Sequence, residues 1–117
     1  MTLYKKEFGN DFELGINLED YPFLVDKSYA NDMCPSFYFK LDDTYYILWI
    51  DYLSMEQREE ESSSRYTIIK AENLGNKENP ELQTANGHPI AQFESVIEIK
   101  TYLNAFKTRF FDTVITH

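Results

Sequence analysis

The chain has little of what most chemistry needs. Cysteine occurs once, at Cys34, so no intrachain disulfide can form, and that fits a reducing compartment. Cys34 precedes Pro35 and has no basic neighbour in sequence; it reads as a packed thiol rather than an activated nucleophile. The four glycines, Gly9, Gly15, Gly75 and Gly87, are isolated, which excludes a phosphate-cradling loop. The two histidines, His88 and His117, have no metal-ligand spacing to each other or to the cysteine, and His88 reads as a turn residue. Basic residues do not cluster, so the electrostatic footprint of a nucleic-acid binder is missing. No apolar run approaches membrane-spanning length, and the first eight residues lack the apolar centre of a signal peptide. These absences point to a cytoplasmic protein with no cofactor, no metal, no membrane partner and no direct contact with nucleic acid.

What the chain has is acid and aromatic rings. At 117 residues it has the length of one domain, residues 1–117. Hydrophobic residues make up 43% and aromatics 16%, enough for a packed core, which argues against disorder despite a net charge of −9. The charge is unevenly placed. Residues 7–61 hold 14 acids and 3 bases, whereas residues 62–117 hold 6 of each. An N-terminal half so loaded implies a one-sided negative field that repels nucleic acid and anionic membranes and attracts cationic partners.

The stretch from residue 36 to residue 72 organises the rest. It contains three runs of aromatic and β-branched residues, the types that fit a pleated surface: Ser36 to Leu41, Thr44 to Leu53 and Arg65 to Glu72. Asp42-Asp43 marks a tight hairpin between the first two. The polar break from Ser54 to Ser64 reads as a loop or a short helical turn. The pattern predicts a three-stranded antiparallel meander. Phe37, Phe39 and Leu41 share one face of the first strand. The second strand is apolar on both faces, which predicts a central strand covered on both sides. Asp51 is a carboxylate on that strand and has to reach water or a partner.

The flanks are less regular. Phe12, Leu14, Ile16 and Leu18 alternate around Gly15, as an edge strand or an extended segment over the core would. Asp20-Tyr21-Pro22 reads as the start of a short helix. After residue 80, Asn86-Gly87 is a strong hairpin signal, predicting a fourth short strand and a fifth beside it. At the C-terminus, Ser95-Val-Ile-Glu98 matches a capping box. Val96, Ile99, Leu103, Phe106 and Phe110 then form one helical stripe. Residues 111–117 read as a tail, with room for a strand over 113–116. The fold class expected is α+β: an antiparallel meander of four to five strands with a C-terminal helix packed on one face.

No catalytic constellation stands out. Paired carboxylates are plentiful, and a glycosidase-like pair or an oxygen-ligand metal site stays open, but nothing in the sequence pushes two carboxyl pKa values apart as acid–base work requires. Arg58 and Arg65 lie among the acids. They read either as anchors holding the 54–64 loop to the sheet end or as partner contacts.

The string Ser36-Phe-Tyr-Phe-Lys40 through Tyr46-Ile-Leu-Trp-Ile-Asp-Tyr52, followed by Arg58-Glu59 and Arg65-Tyr66, resembles small bacterial immunity proteins of contact-dependent growth inhibition and related polymorphic toxin systems. The likeness covers about a third of the chain. It implies a single α+β domain, monomeric when free, that binds and blocks a cognate toxin domain, often a basic nuclease, in the cytosol without catalysis of its own. The partner-binding residues expected from the acid pattern are Asp42, Asp43, Asp51, Glu56, Glu59, Glu60 and Glu61. The hairpin tip and the loop fall at opposite ends of the second strand, so the 56–61 group is favoured for a compact active site. The competing readings are an acidic nucleic-acid mimic that inhibits a DNA- or RNA-binding protein, and a small carboxylate-dependent enzyme.

Overall fold

The computed structural model describes residues 3–28, 34–41, 44–58, 63–76 and 81–115, with the backbone alone at 84–88 and 108–115. Helix α1 (Leu3–Phe8) leads through an extended segment to a 3₁₀ turn at Leu18–Asp20 and a two-residue strand β1 (Val25–Asp26). Strands β2 (Ser36–Leu41), β3 (Thr44–Ile50), β4 (Tyr66–Asn73) and β5 (Leu82–Phe93) follow, and helix α2 (Val96–Ile115) ends the chain. The strands form one antiparallel sheet in the order β1-β2-β3-β4-β5. This is the expected α+β meander.

The alternation in β2 and β3 sets the core. Phe37 pairs with Leu48 and Phe39 with Tyr46; Leu48 pairs in turn with Ile68, and Ile50 with Tyr66. Because side chains alternate at period two, all of these reach one face. There they meet Ile99 and Leu103 of α2, Tyr4 of α1, and Leu14, Ile16 and Tyr21. The α2 stripe is therefore core, with Ile99 and Leu103 fully buried and Val96 and Phe106 packed against them. Ser95 caps the helix as its sequence requires, its hydroxyl oxygen accepting from the Ile97 and Glu98 amides at 3.1 and 3.4 Å.

Three expectations are corrected and one is refined. First, Asn86-Gly87 makes no hairpin. Leu82–Phe93 is one strand along β4, running in the same direction before and after those residues (Thr84 opposite Ala71, Pro89 opposite Ile69). The surplus residues make an irregularity in the ladder, since more of β5 than of β4 lies between those two pairs. The backbone at His88 is accordingly strand rather than turn. Second, the short helical turn ends before Tyr21-Pro22 instead of starting there. Asn17 caps it, its side-chain oxygen accepting from the Glu19 amide at 3.0 Å. Third, α2 continues to Ile115 where a strand over 113–116 was expected. Fourth, β3 is central and buried on both sides, but the cover is unequal among the described residues. The face away from α2 carries a smaller cluster of Ile47, Ile69 and Ala71, ringed by Tyr45, Trp49 and Leu82, all of it supplied by strands. Of the two readings left open for residues 12–18, the extended segment is the one found, with Leu14 and Ile16 buried.

Candidate functional site

The end of the sheet where β3 leaves and β4 enters holds the densest polar network. Its centre is Arg58, a buried side chain. Nε donates to the Tyr52 carbonyl at 2.7 Å, Nη1 to the Ser63 carbonyl at 2.8 Å and Nη2 to the Leu53 carbonyl at 3.3 Å. The same two Nη atoms donate to the two carboxylate oxygens of Glu94, each at 2.8 Å. A planar guanidinium matches this bidentate arrangement. The hydrogen bond from Arg58, and then its charge, hold the Glu94 carboxyl below its ordinary pKa, against the opposing effect of burial.

Arg65 is buried too. Its Nη2 donates to the Glu13 carbonyl at 2.8 Å, and its backbone amide donates to Glu94 Oε1 at 3.2 Å. Its guanidinium lies 5.2 Å from the centre of the Tyr66 ring. Tyr66 donates its hydroxyl to the Leu14 carbonyl at 2.7 Å. Burial pushes that phenol up in pKa, so it remains a donor. Arg65 and Tyr66 together pin residues 13–15 over the sheet end. Gly15 makes this close approach possible. Its φ is +80°, and a Cβ there would collide with the Tyr66 hydroxyl.

Of the two roles open for the arginines, the anchoring one is found. Each is turned inward: Arg58 ties three nearby carbonyls to the distant Glu94 carboxylate, and Arg65 holds the distant Glu13 carbonyl. The principal carboxylate partner is Glu94 rather than Asp51. Asp51 sits just beyond β3, where its Oδ1 accepts from the Tyr52 amide at 2.8 Å and its Oδ2 from the Ser63 hydroxyl at 3.4 Å.

In front of this network lies a cleft of about 510 Å³. One wall is residues 8–13, the other is Tyr52, Leu53, Ser54 and Gln57. Phe12 packs on Tyr52 with ring centres 4.9 Å apart, and Phe8 on Phe12 at 6.1 Å. The described lining includes two carboxylates, Asp11 and Glu13, and no lysine or arginine. Leu53 and Met55 are exposed apolar side chains beside it, and Glu56 is exposed on the 3₁₀ turn Met55–Gln57.

Of the residues expected from sequence, Asp51 and Glu56 thus come to the same end of the sheet. Asp42, Asp43, Glu59, Glu60 and Glu61 lie outside the described residues. Sequence reasoning missed Phe8, Asp11, Phe12, Glu13 and Glu94. A hint was the run Phe8 to Glu13, which mixes rings and acids, but it stands about forty residues from the wall it faces. Among the described residues, no three His, Cys, Asp or Glu side chains converge to hold a metal ion, and no helix is long and apolar enough to cross a membrane. Comparison of the chain with models of known protein families, with curated proteins and with solved structures finds no match.

Proposed function

We propose that this protein is a cytoplasmic inhibitor that binds and neutralises a cationic toxin domain, as the resemblance to immunity proteins of contact-dependent growth inhibition implies. One observation carries the reading. Both arginines at the end of the sheet are buried in the fold's own carbonyl and carboxylate network, while Asp11, Glu13 and Glu56 stay exposed around an aromatic cleft. Exposed carboxylates beside a cleft whose described lining holds no lysine or arginine project a field that steers a basic partner and rejects acidic ones. The aromatic and aliphatic side chains among them, Phe12, Tyr52, Leu53 and Met55, are the kind that supply the desolvated anchors of a protein interface. A nuclease active site, built to attract phosphate, is a matching surface.

The test is binding and inhibition against the C-terminal domain of whatever large secreted protein the neighbouring upstream gene is found to encode, with two unrelated nucleases as controls. The expected result is tight binding and loss of toxin activity with that domain alone. Binding to all three enzymes would instead identify a nucleic-acid mimic, and binding to none would end the inhibitor reading.

A further inference from the structure

We propose that the cleft between residues 8–13 and Tyr52–Gln57 receives the guanidinium of an arginine side chain presented by the protein partner; this rests on the reading that a cationic protein lands on this end of the sheet. Three features of the cleft select that group. Rings line it: Phe8, Phe12 and Tyr52, with Phe12 and Tyr52 only half-buried and meeting at 4.9 Å with their planes tilted by 57°. Arginine is planar and weakly hydrated, so it stacks on such faces with little desolvation loss, whereas a lysine ammonium holds its water more strongly. The rim is anionic, with Asp11 and Glu13 exposed and no described cation in the lining, so a guanidinium finds carboxylates to accept its five donors. At about 510 Å³ the space suits a side chain and part of its backbone. The exposed Leu53 beside it offers apolar surface for the arginine's methylene stem.

The protein's own arginines show what the neighbourhood accommodates. Arg58 and Arg65 are already buried against carbonyls, a carboxylate and a ring in the layer just behind. The cleft at the opposite end of the sheet, about 530 Å³, makes a useful contrast. Its lining includes Lys70 as well as Glu72, with Tyr45 the one ring among its described residues, and it has no cause to select a cation.

The test needs no toxin. The full isotope-labelled chain is titrated with the blocked tripeptide acetyl-Gly-Arg-Gly-amide and, separately, with its lysine counterpart, and followed by NMR. Saturable shifts confined to residues 8–13 and 52–57, tighter for the arginine peptide, are expected. Asp11→Asn and Tyr52→Leu should each weaken binding by about two- to fivefold, the range of an exposed cation–π or single-charge contact. Glu72→Gln should leave it unchanged. Asp11 is exposed, so its variant keeps the test valid if Tyr52→Leu fails to fold. Indistinguishable arginine and lysine binding, shifts spread over every acidic surface, or no saturable shift would each overturn the proposal. A cleft that takes arginine in a protein that inhibits no toxin would sink the functional reading alone; toxin binding with a silent cleft would sink only this one.

Discussion

Two side chains and one missing side chain hold the site. Arg58 satisfies three carbonyls of residues that lie outside the strands. Arg58→Ala strands those acceptors and leaves Glu94 with the Arg65 backbone amide but without its ion-pair partner. A loss of about 2–4 kcal/mol in urea unfolding is expected, since hydrogen bonds to charged groups exceed neutral ones. Arg58→Lys keeps the charge without the fork and should recover less than half of it. The clamp also has a pH signature. Glu94 is lowered in the fold, so the unfolded chain binds its proton first as the pH falls. The stabilisation is then fully present above the ordinary glutamate range, about pH 4–5, and is lost as the pH drops through the depressed folded value. The stability difference between the natural chain and Glu94→Gln should accordingly be largest near neutral pH and shrink below about pH 4. Gly15→Ala brings both a left-handed φ and a collision with the Tyr66 hydroxyl. About 2–4 kcal/mol of destabilisation is expected from strain and overpacking together, whereas Gly9→Ala, with a φ of +102° but nothing within 4 Å, should lose only the strain share.

At the level of elements, α2 joins the ends of the argument. Its Leu103 is fully buried against the sheet core. Leu103→Ala is expected to lose about 2–5 kcal/mol by chemical denaturation, as a cavity in a packed interior does; a loss under about 1 kcal/mol would mean that the stripe does not close the core. That stripe was legible because helix periodicity and a cap are local signals. The same holds for β2 to β4, whose alternating rings and acid-marked turn specify both the strands and their faces. Legibility ends where distant partners decide. Asn86-Gly87 favours a reversal by itself, yet residues on both sides of it pair along the one free edge of β4, and ladder pairing overrides the turn preference. The β-branched residues at 113–115 favour a strand, yet the helix, once nucleated, propagates through them to Ile115. Helix α1 has no long stripe; its local signal is Gly9, in the left-handed region just past its end with its amide donating to the Lys5 carbonyl, and Tyr4 alone is buried from it. The site divides in the same way: Asp51 and Glu56 follow from the meander, while Asp11, Glu13 and Glu94 join them through tertiary contacts made by Arg58, Arg65, Tyr66 and the Phe12–Tyr52 pair.

At the scale of the whole molecule, the sheet has a helix-covered surface and one whose described cluster is supplied by strands. The sheet surface away from α2 carries Tyr38, Tyr45 and Trp49 with Lys27 and Lys40 poised over rings, 5.5 Å from the centre of Trp49 and 5.3 Å from that of Tyr45. These lysines place charge over aromatic surface on the partly open face, which works against unspecific stacking of sheets. Exposed acid meets rings at the cleft by the β3 exit, where Asp11 and Glu13 line it with Phe8, Phe12 and Tyr52. Such an arrangement acts mainly on encounter, because long-range steering depends on net local charge and on ionic strength. Reversal at two exposed positions, Asp11→Lys with Glu56→Lys, should therefore slow association with the proposed toxin partner by about tenfold or more at low salt. The same variant should flatten the salt dependence of the association rate, while dissociation changes less, as for charges at an interface rim. Reversal of Glu72, at the far end of β4, sets the baseline for a change in total charge alone. Stopped-flow association measured over a range of salt concentrations separates the two. Equal slowing by both variants would mean that only the protein's net charge matters, and an unchanged salt slope would remove electrostatic steering from the account altogether.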